Sequence, residues 1–109
     1  ITKEFLDMTN PPTAIISCSN RMTLGVIKAL FERKKKIPKD IALVGFNKID
    51  LIDIVGINLT YIEDSPIELG QSSIRLLLEI FESNEKNKIK RIKIPPKVIS
   101  NGSEDKVGQ

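Results

Sequence analysis

Length, composition and charge limit the chain to one small domain of ordinary make-up. It has 109 residues, of which 40% are hydrophobic and 28% charged, with a net charge of +3, and a chain of this size buries roughly 60–70% of its unfolded surface. It contains no histidine and a single cysteine, Cys18. That composition excludes an internal disulfide, zinc clusters of cysteine and histidine, and Ser-His or Cys-His nucleophiles. We therefore predict no enzyme and no cofactor.

The charges and the first residue add two further expectations. The chain begins with Ile1 rather than methionine, so we predict a fragment or a processed product. Basic residues cluster at 33–36 and again between Lys86 and Lys97. Either cluster is a candidate for nucleic-acid binding or for a solvated surface, but the second has no interleaved aromatic side chains for base stacking. No apolar run approaches the roughly 20 residues of a membrane span.

The first half of the chain alternates short apolar runs with an amphipathic helix. The run at 13–18 follows a Pro-Pro pair and predicts a buried strand that contains Cys18. Asn20 is a candidate N-cap for a helix that runs into the basic cluster. Residues 41–46 predict a second strand with almost no polar alternation, which is typical of a parallel sheet covered on both faces. The helical pattern is formed by Leu24, Ile27, Leu30 and Phe31.

The second half begins with a strand and a well-marked helix. A third strand is predicted at 59–63. Ser65 and Glu68 have the spacing of a capping box, and Pro66 stands at the first helical position, so the following apolar periodicity predicts a helix over 66–83.

Beyond that helix the polar run at 83–88 predicts a loop, and 91–94 alternates like a strand. A short extended piece follows at 97–100. The order strand–helix–strand–strand–helix–strand predicts an α/β fold with right-handed crossovers, whose ligands bind beyond the carboxyl ends of the strands. Ser19 and Asn47 directly follow predicted strands.

Four segments resemble the C-terminal part of the sensor domain in LacI/GalR-family transcriptional regulators. They occur in the family's order over residues 12–103 and read PTAIISCSNRMTLGVIKAL, IPKDIALVGFNKID, LTYIEDSPIELG and IPPKVISNGS. The resemblance implies a periplasmic-binding-protein-like I fold, which is α/β with a parallel sheet flanked by helices. It also implies a sugar or another small effector held between two lobes.

The same resemblance implies how residues 1–109 divide. They would form a partial effector-binding and dimerisation domain, with the C-terminal lobe at about 12–63 and 97–103 and a helix of the N-terminal lobe at about 65–83. The apolar face of that helix would be exposed or packed against another chain. The intact protein would be a cytoplasmic, homodimeric transcriptional regulator or repressor with no membrane partner. It would reach operator DNA only through a helix-turn-helix domain that is absent from this sequence.

Three residues are implied to contact the effector, namely Ser19, Asn47 and Asp64. The family carries Asp at the position of Asn47, so an amide that both donates and accepts replaces a carboxylate. Each residue also has a structural alternative. Asn47 is a candidate turn residue, Ser19 a helix-flanking residue, and Asp64 a capping or dipole-stabilising carboxylate.

The apolar loop at 49–56 has two interpretations. It forms a small helix that buries part of the loop in its own core, or it belongs to a homodimer interface, as the family resemblance implies. The predicted interface consists of Met22, Leu24, Ile27, Ile49, Leu51, Ile52, Ile54 and Val55.

Two rival functions remain open from the sequence. An exported sugar-binding protein of a transporter shares the fold, and an upstream helix-turn-helix or signal peptide would distinguish it from a regulator. A small α/β enzyme would need an acid–base pair, which the sequence does not show.

Overall fold

Helices and strands follow one another in nearly the order that the sequence predicts. The computed structural model describes residues 1–83 and 89–105. Most of the loop predicted at 83–88, with Lys86 and Lys88 of the second basic cluster, lies outside the described residues. The elements are, in chain order, α1 (Thr2–Leu6), β1 (Ala14–Ile16), α2 (Asn20–Glu32), β2 (Ala42–Phe46), a 3-10 helix (Ile52–Val55), β3 (Thr60–Glu63), α3 (Pro66–Glu82) and β4 (Lys97–Ile99).

The strands form one sheet in the order β1-β2-β3-β4. β1 pairs with β2 and β2 with β3, both in parallel, with Ala14 opposite Ala42 and Val44 opposite Thr60. Parallel neighbours require a crossover connection, and α2 supplies the one between β1 and β2. The predicted α/β class with a parallel sheet and flanking helices is confirmed.

The core lies where α2 packs against β2. Leu30 of α2 and Leu43 of β2 are almost completely buried, because the helix turns its apolar stripe towards the sheet. Burying a side chain of this size contributes about 1.5–3 kcal/mol. The remaining core residues are Val26, Ile27, Ile41, Ile49, Ile52 and Leu59.

Gly45 allows α2 and the residue before β3 to approach β2 closely. A Cβ atom on Gly45 would lie 3.0 Å from Cδ2 of Leu59 and 3.4 Å from Oγ1 of Thr23. The Thr23 hydroxyl is held in place, since it donates to the Ser19 carbonyl at 2.9 Å and lies 2.5 Å from the Ser17 hydroxyl. A side chain at position 45 would therefore displace packed atoms of the core.

Some local predictions are wrong. Residues 91–94 form no strand, because a strand requires hydrogen bonds to a neighbour and none of the described strands pairs with this segment. Cys18 is exposed rather than buried, since β1 already ends at Ile16. The pattern also did not predict α1, which is joined to the end of α2 by ion pairs of Lys3 with Glu32 and of Asp7 with Arg33.

The chain separates into two compact units. One comprises Ile1–Glu63 and the chain from Val98 onward, and the other comprises Asp64–Lys97. Within the second unit α3 has no buried residue, so the predicted apolar face is exposed in this chain. Its exposed large apolar side chains are Ile67, Leu69, Ile74, Leu77, Leu78, Ile80 and Phe81.

Candidate functional site

Ser19 and Asn47 lie at the same edge of the sheet. Ser19 follows β1 and Asn47 follows β2, and these strands are parallel neighbours. Nδ2 of Asn20 donates to the carbonyl oxygen of Lys48 at 3.1 Å, which connects the residue after Ser19 to the residue after Asn47. The carboxyl edge of an open parallel sheet is where α/β folds bind their ligands.

Ser19, rather than Asn20, is the N-cap of α2. The Ser19 backbone is extended, with φ −162° and ψ 157°, and its Oγ accepts from the N–H of Met22 at 3.3 Å. Capping occupies a lone pair of the hydroxyl, which still has a proton to donate. The prediction for Asn20 is wrong because Asn20 is the first helical residue and its side chain binds the Lys48 carbonyl instead.

Asn47 turns the chain at the end of β2 through a left-handed conformation. Its φ is 64°, and its N–H donates to the carbonyl oxygen of Ile62 in β3 at 2.7 Å. Asparagine adopts this conformation more readily than most residues that have a Cβ. The predicted turn role therefore accounts for the backbone, and an effector contact through the half-buried side chain stays a prediction.

Asp64 belongs to the other compact unit and lies two residues before Pro66, the first residue of α3. The N-cap of α3 is Ser65, whose Oγ accepts from the N–H of Glu68 at 3.4 Å, with Pro66 at the first helical position. Ser65, rather than Asp64, therefore occupies the N-cap position. Its half-buried carboxylate still stands beside a helix N-terminus, where negative charge is favourable, and its effector contact stays a prediction.

Only part of the predicted dimer interface is available to a partner. Ile27, Ile49 and Ile52 are 5%, 9% and 6% exposed, because the loop after β2 folds the two latter side chains into the core. Assigning these residues to an interface surface was wrong, and for Ile49 and Ile52 the alternative of a small helix that buries part of the loop is confirmed. The exposed members, which we call the apolar patch, are Met22, Leu24, Leu51, Ile54 and Val55.

A groove lies between α2 and the loop that contains the 3-10 helix. Its volume is about 500 Å³, and Leu24, Leu51 and Val55 of the apolar patch line it together with the buried Ile27 and Ile52. Apolar side chains on both walls give the patch a concave surface into which a complementary apolar side chain could pack.

The sequence pattern did not reveal a polar cluster after β4. We call Asn101, Ser103 and Glu104 the C-terminal clamp. The Ser103 hydroxyl donates to the Leu43 carbonyl at 2.5 Å and accepts from the Thr60 N–H at 2.7 Å. The Leu43 N–H donates to the Ser103 carbonyl at 2.8 Å, and the Asn101 N–H donates to Oγ1 of Thr60 at 2.8 Å. The clamp thus fixes residues 101–104 to β2 and β3.

Glu104 is the charged member of the clamp. Its carboxylate accepts hydrogen bonds from the Thr60 and Ser100 hydroxyls and from the Gly102 N–H, the last at 3.0 Å. The Thr60 hydrogen bond is the main cause that lowers the pKa of Glu104 below its usual 4.5. The run SNGS is a turn signal in the sequence, but one sequence does not show which strands such a turn contacts.

Neither a cluster of metal-binding side chains nor a membrane span is found among the described residues. Residues 1–83 and 89–105 hold no group of three or more acidic, histidine or cysteine side chains placed to bind a metal ion. Within the same residues, no helix has the length and apolar character needed to cross a membrane.

A parallel sheet with polar residues at its carboxyl edge is typical of α/β domains that bind small ligands. The family model for the periplasmic binding protein-like domain matches residues 2–103. The chain belongs to this family, as the four sequence segments predicted.

The relatives are transcriptional regulators. The chain is 30% identical over 93 residues to the NTD biosynthesis operon regulator NtdR of Bacillus subtilis, covering 85% of this chain and 28% of NtdR. It is 33% identical over 90 residues to the HTH-type transcriptional repressor PurR of Haemophilus influenzae, covering 81% of this chain and 27% of PurR. The crystal structure of a LacI family transcriptional regulator from Enterococcus faecium with bound ribose superposes with a TM-score of 0.72 and 28% identity.

The chain spans a minor part of each relative. It corresponds to 27–28% of the two curated regulators and to 37% of the Enterococcus faecium chain, while 94% of this chain is covered in the latter comparison. The resemblance to LacI/GalR-family sensor domains is confirmed by these matches.

Proposed function

We propose that the chain is the effector-sensing part of a cytoplasmic LacI/GalR-type transcriptional regulator. The observation that supports it most is the carboxyl edge of β1 and β2, where the Asn20–Lys48 hydrogen bond connects the residues after Ser19 and Asn47. Ser19, Asn47 and Asp64 are the effector contacts of this proposal. In the intact protein, operator DNA is contacted through a helix-turn-helix domain outside the present sequence.

A sugar or sugar derivative suits these side chains. The Asn47 amide donates and accepts without charge, the Ser19 hydroxyl has a proton to donate, and the Asp64 carboxylate accepts from hydroxyl groups. A ligand rich in hydroxyl groups supplies both hydrogen-bond donors and acceptors, so it can pair with each of these three side chains. The ribose bound to the Enterococcus faecium regulator supports this class of effector for the family.

Effector binding would act on the operator through the arrangement of two lobes. The proposal assigns residues of about 12–63 and 97–103 to the C-terminal lobe and α3 to the N-terminal lobe of the intact protein. An effector held between lobes favours the arrangement that it fits better, by as much as its affinities for the two arrangements differ. A homodimer that reads two half-sites changes its operator affinity when the spacing of its subunits changes.

The homodimer would form through the apolar patch. Its five members are exposed on α2 and on the loop that contains the 3-10 helix, beside the groove described above. Ile27, Ile49 and Ile52 belong to the hydrophobic core, so they would not contact the partner.

Calorimetric titration of the native full-length protein with a panel of pentoses and hexoses, ribose included, tests the effector site. We expect one sugar to bind, and Asn47→Ala to weaken it by about tenfold, since an amide hydrogen bond contributes about 0.5–1.5 kcal/mol and the side chain makes up to two. Asn47→Gly should weaken binding equally while it preserves the left-handed turn.

Asn58→Ala is the matched control, because Asn58 is an exposed asparagine that does not follow a strand at this edge. Its sugar affinity should equal that of the parent. Binding that survives unchanged in both Asn47 variants would remove Asn47 from the site, and a panel without any binding sugar would contradict the proposed effector class.

An exported sugar-binding protein of a transporter remains the rival function, since it shares the fold. The two named relatives are an operon regulator and an HTH-type transcriptional repressor, which favours the first proposal. Reading the gene upstream distinguishes them by a helix-turn-helix pattern or a signal peptide.

A further inference from the structure

A second groove lies at the C-terminal end of α2. It has a volume of about 460 Å³ and runs between the last turn of the helix and the residues after the 3-10 helix. Its floor includes Ile27 and Leu30, which are buried, whereas Phe31 is 59% exposed at its wall. Ile37 and Ile57 complete its apolar lining. This groove therefore offers an aromatic side chain and an aliphatic floor to whatever enters it.

The rim of this groove is strongly basic. Lys34, Lys35 and Lys36 all line it, and none of the described carboxylates forms an ion pair with them. The ion pairs of neighbouring residues join α2 to α1 instead, through Glu32 and Arg33. The rim thus presents three positive side chains around an apolar floor, while the carboxylate of Asp40, which accepts from the backbone N–H of Lys36 at 2.7 Å, offsets part of their charge.

The end of α2 determines the backbone conformation at Lys34. The N–H of Lys34 donates to the Phe31 carbonyl and that of Lys35 to the Leu30 carbonyl, both at 2.9 Å. These are the hydrogen bonds of a Schellman helix end, in which glycine is the preferred residue at the left-handed position. Lys34 occupies that position with a φ of 55°. Lysine at this position adds a positive charge to the rim, although glycine would adopt the conformation without strain.

We propose that this groove binds an acidic segment of a partner protein, with one large apolar side chain of the segment seated against Phe31. The carboxylates of the segment would pair with the lysines of the rim, and the apolar side chain would cover the floor. Aromatic side chains are enriched at the centres of protein interfaces, where the rim is polar. The site is separate from the proposed effector edge, but it includes Val55 of the apolar patch and shares the buried Ile27 with the groove beside that patch.

Other acidic ligands fit the observations less well. A nucleic acid would meet an apolar floor that has no side-chain donors for base edges and a single aromatic side chain for stacking. A peptide supplies both the apolar side chain and the carboxylates in one extended segment, so the shape and the charge of the groove favour it.

Fluorescence anisotropy with the native full-length protein tests the proposal. The probe is a labelled short peptide in which glutamates flank a Leu-Phe pair. We expect saturable binding that weakens as salt is added. Lys34→Gly combined with Lys35→Glu should weaken it by about tenfold, because each exposed ion pair contributes up to about 1 kcal/mol. Phe31→Ala should weaken it by a similar factor. Lys34→Gly relieves a strained backbone, so loss of binding in this variant does not reflect unfolding.

Lys39→Glu is the matched control, since Lys39 is exposed and does not line the groove. It should change the affinity less than about twofold. A peptide with Ser-Ser in place of Leu-Phe should bind weakly. If it binds as tightly as the Leu-Phe peptide, the groove attracts charge alone and the proposal is overturned. Absence of binding would also overturn it. If Phe31→Ala lowers self-association of the protein while the peptide does not bind, the occupant is a second copy of the chain and the proposal is wrong.

Discussion

Asn47 and Lys34 share a left-handed backbone conformation, with φ of 64° and 55°, but the two side chains suit it differently. The short polar side chain of asparagine tolerates this region, so Asn47 ends β2 without much strain. Lysine has no such compensation. At Lys34 the conformation is imposed by the end of α2, where the Lys35 N–H reaches the Leu30 carbonyl.

Lys34→Gly should therefore stabilise the fold. The left-handed conformation costs a residue with a Cβ about 1–2 kcal/mol, and the extra freedom of glycine in the unfolded chain takes back about 0.5–1 kcal/mol. We expect a net gain of about 0.5–1 kcal/mol in the free energy of unfolding, measured by urea denaturation with an unchanged m-value.

Lys35→Gly separates strain from charge in that experiment. It removes the same charge from the rim, but Lys35 is not among the residues with positive φ, so glycine there should give no stabilisation. An equal gain from both variants would mean that repulsion among the lysines, rather than backbone strain, is relieved.

At the scale of elements, the C-terminal clamp should make stability depend on pH. The Thr60 hydrogen bond lowers the pKa of Glu104 below 4.5 in the folded chain. A carboxyl group with a lowered folded-state pKa contributes stability that is fully present above its unfolded pKa and is lost as the pH falls through the folded value. Glu104→Gln should reduce the free energy of unfolding at neutral pH by about 1 kcal/mol, because a neutral acceptor replaces a charged one.

The same variant should also flatten the acid limb of the stability curve. Between neutral pH and about pH 3, Glu104→Gln should lose less stability than the parent, as measured by chemical denaturation at each pH. Glu82→Gln, on α3 and without a described contact to the clamp, should leave the parent's pH dependence unchanged. Identical acid limbs for Glu104→Gln and the parent would show that the clamp carboxylate does not contribute.

The sequence predicts elements where the signal is local. The apolar run of 41–46 and the Ser65–Glu68 spacing gave a strand and a helix that the structure contains. Prediction from the sequence fails where a segment's structure depends on residues that are distant in the chain. Residues 91–94 have the alternation of a strand but none of the described strands pairs with them, and the burial of Ile49 and Ile52 follows from how the loop folds back on α2.

The candidate site shows the same division. The positions of Ser19 and Asn47 after two strands were predictable from the strand pattern. The Asn20–Lys48 hydrogen bond and the clamp contacts of Ser103, which join residues 28 and 60 positions apart, were not. No local periodicity encodes contacts over such separations.

At the scale of the molecule, apolar surface is distributed unevenly. The overall hydrophobic share of 40% is ordinary, yet α3 buries none of its residues. A helix with a broad exposed apolar face is normally covered by another element. The proposal gives that cover to the N-terminal lobe of the intact regulator, and this chain does span only a minor part of the relatives that it matches.

The apolar patch predicts how the intact protein associates. Ile54 is 79% exposed on the 3-10 helix, and a charge at the centre of an apolar interface would be desolvated without a partner. Ile54→Asp should therefore raise the dimer dissociation constant at least about tenfold, since an unpaired buried charge costs well over 1.4 kcal/mol. Sedimentation velocity across a concentration series measures it, and Met8→Asp, at an exposed apolar residue outside the patch, should leave it unchanged. Equal dimerisation of parent and Ile54→Asp would place the interface elsewhere.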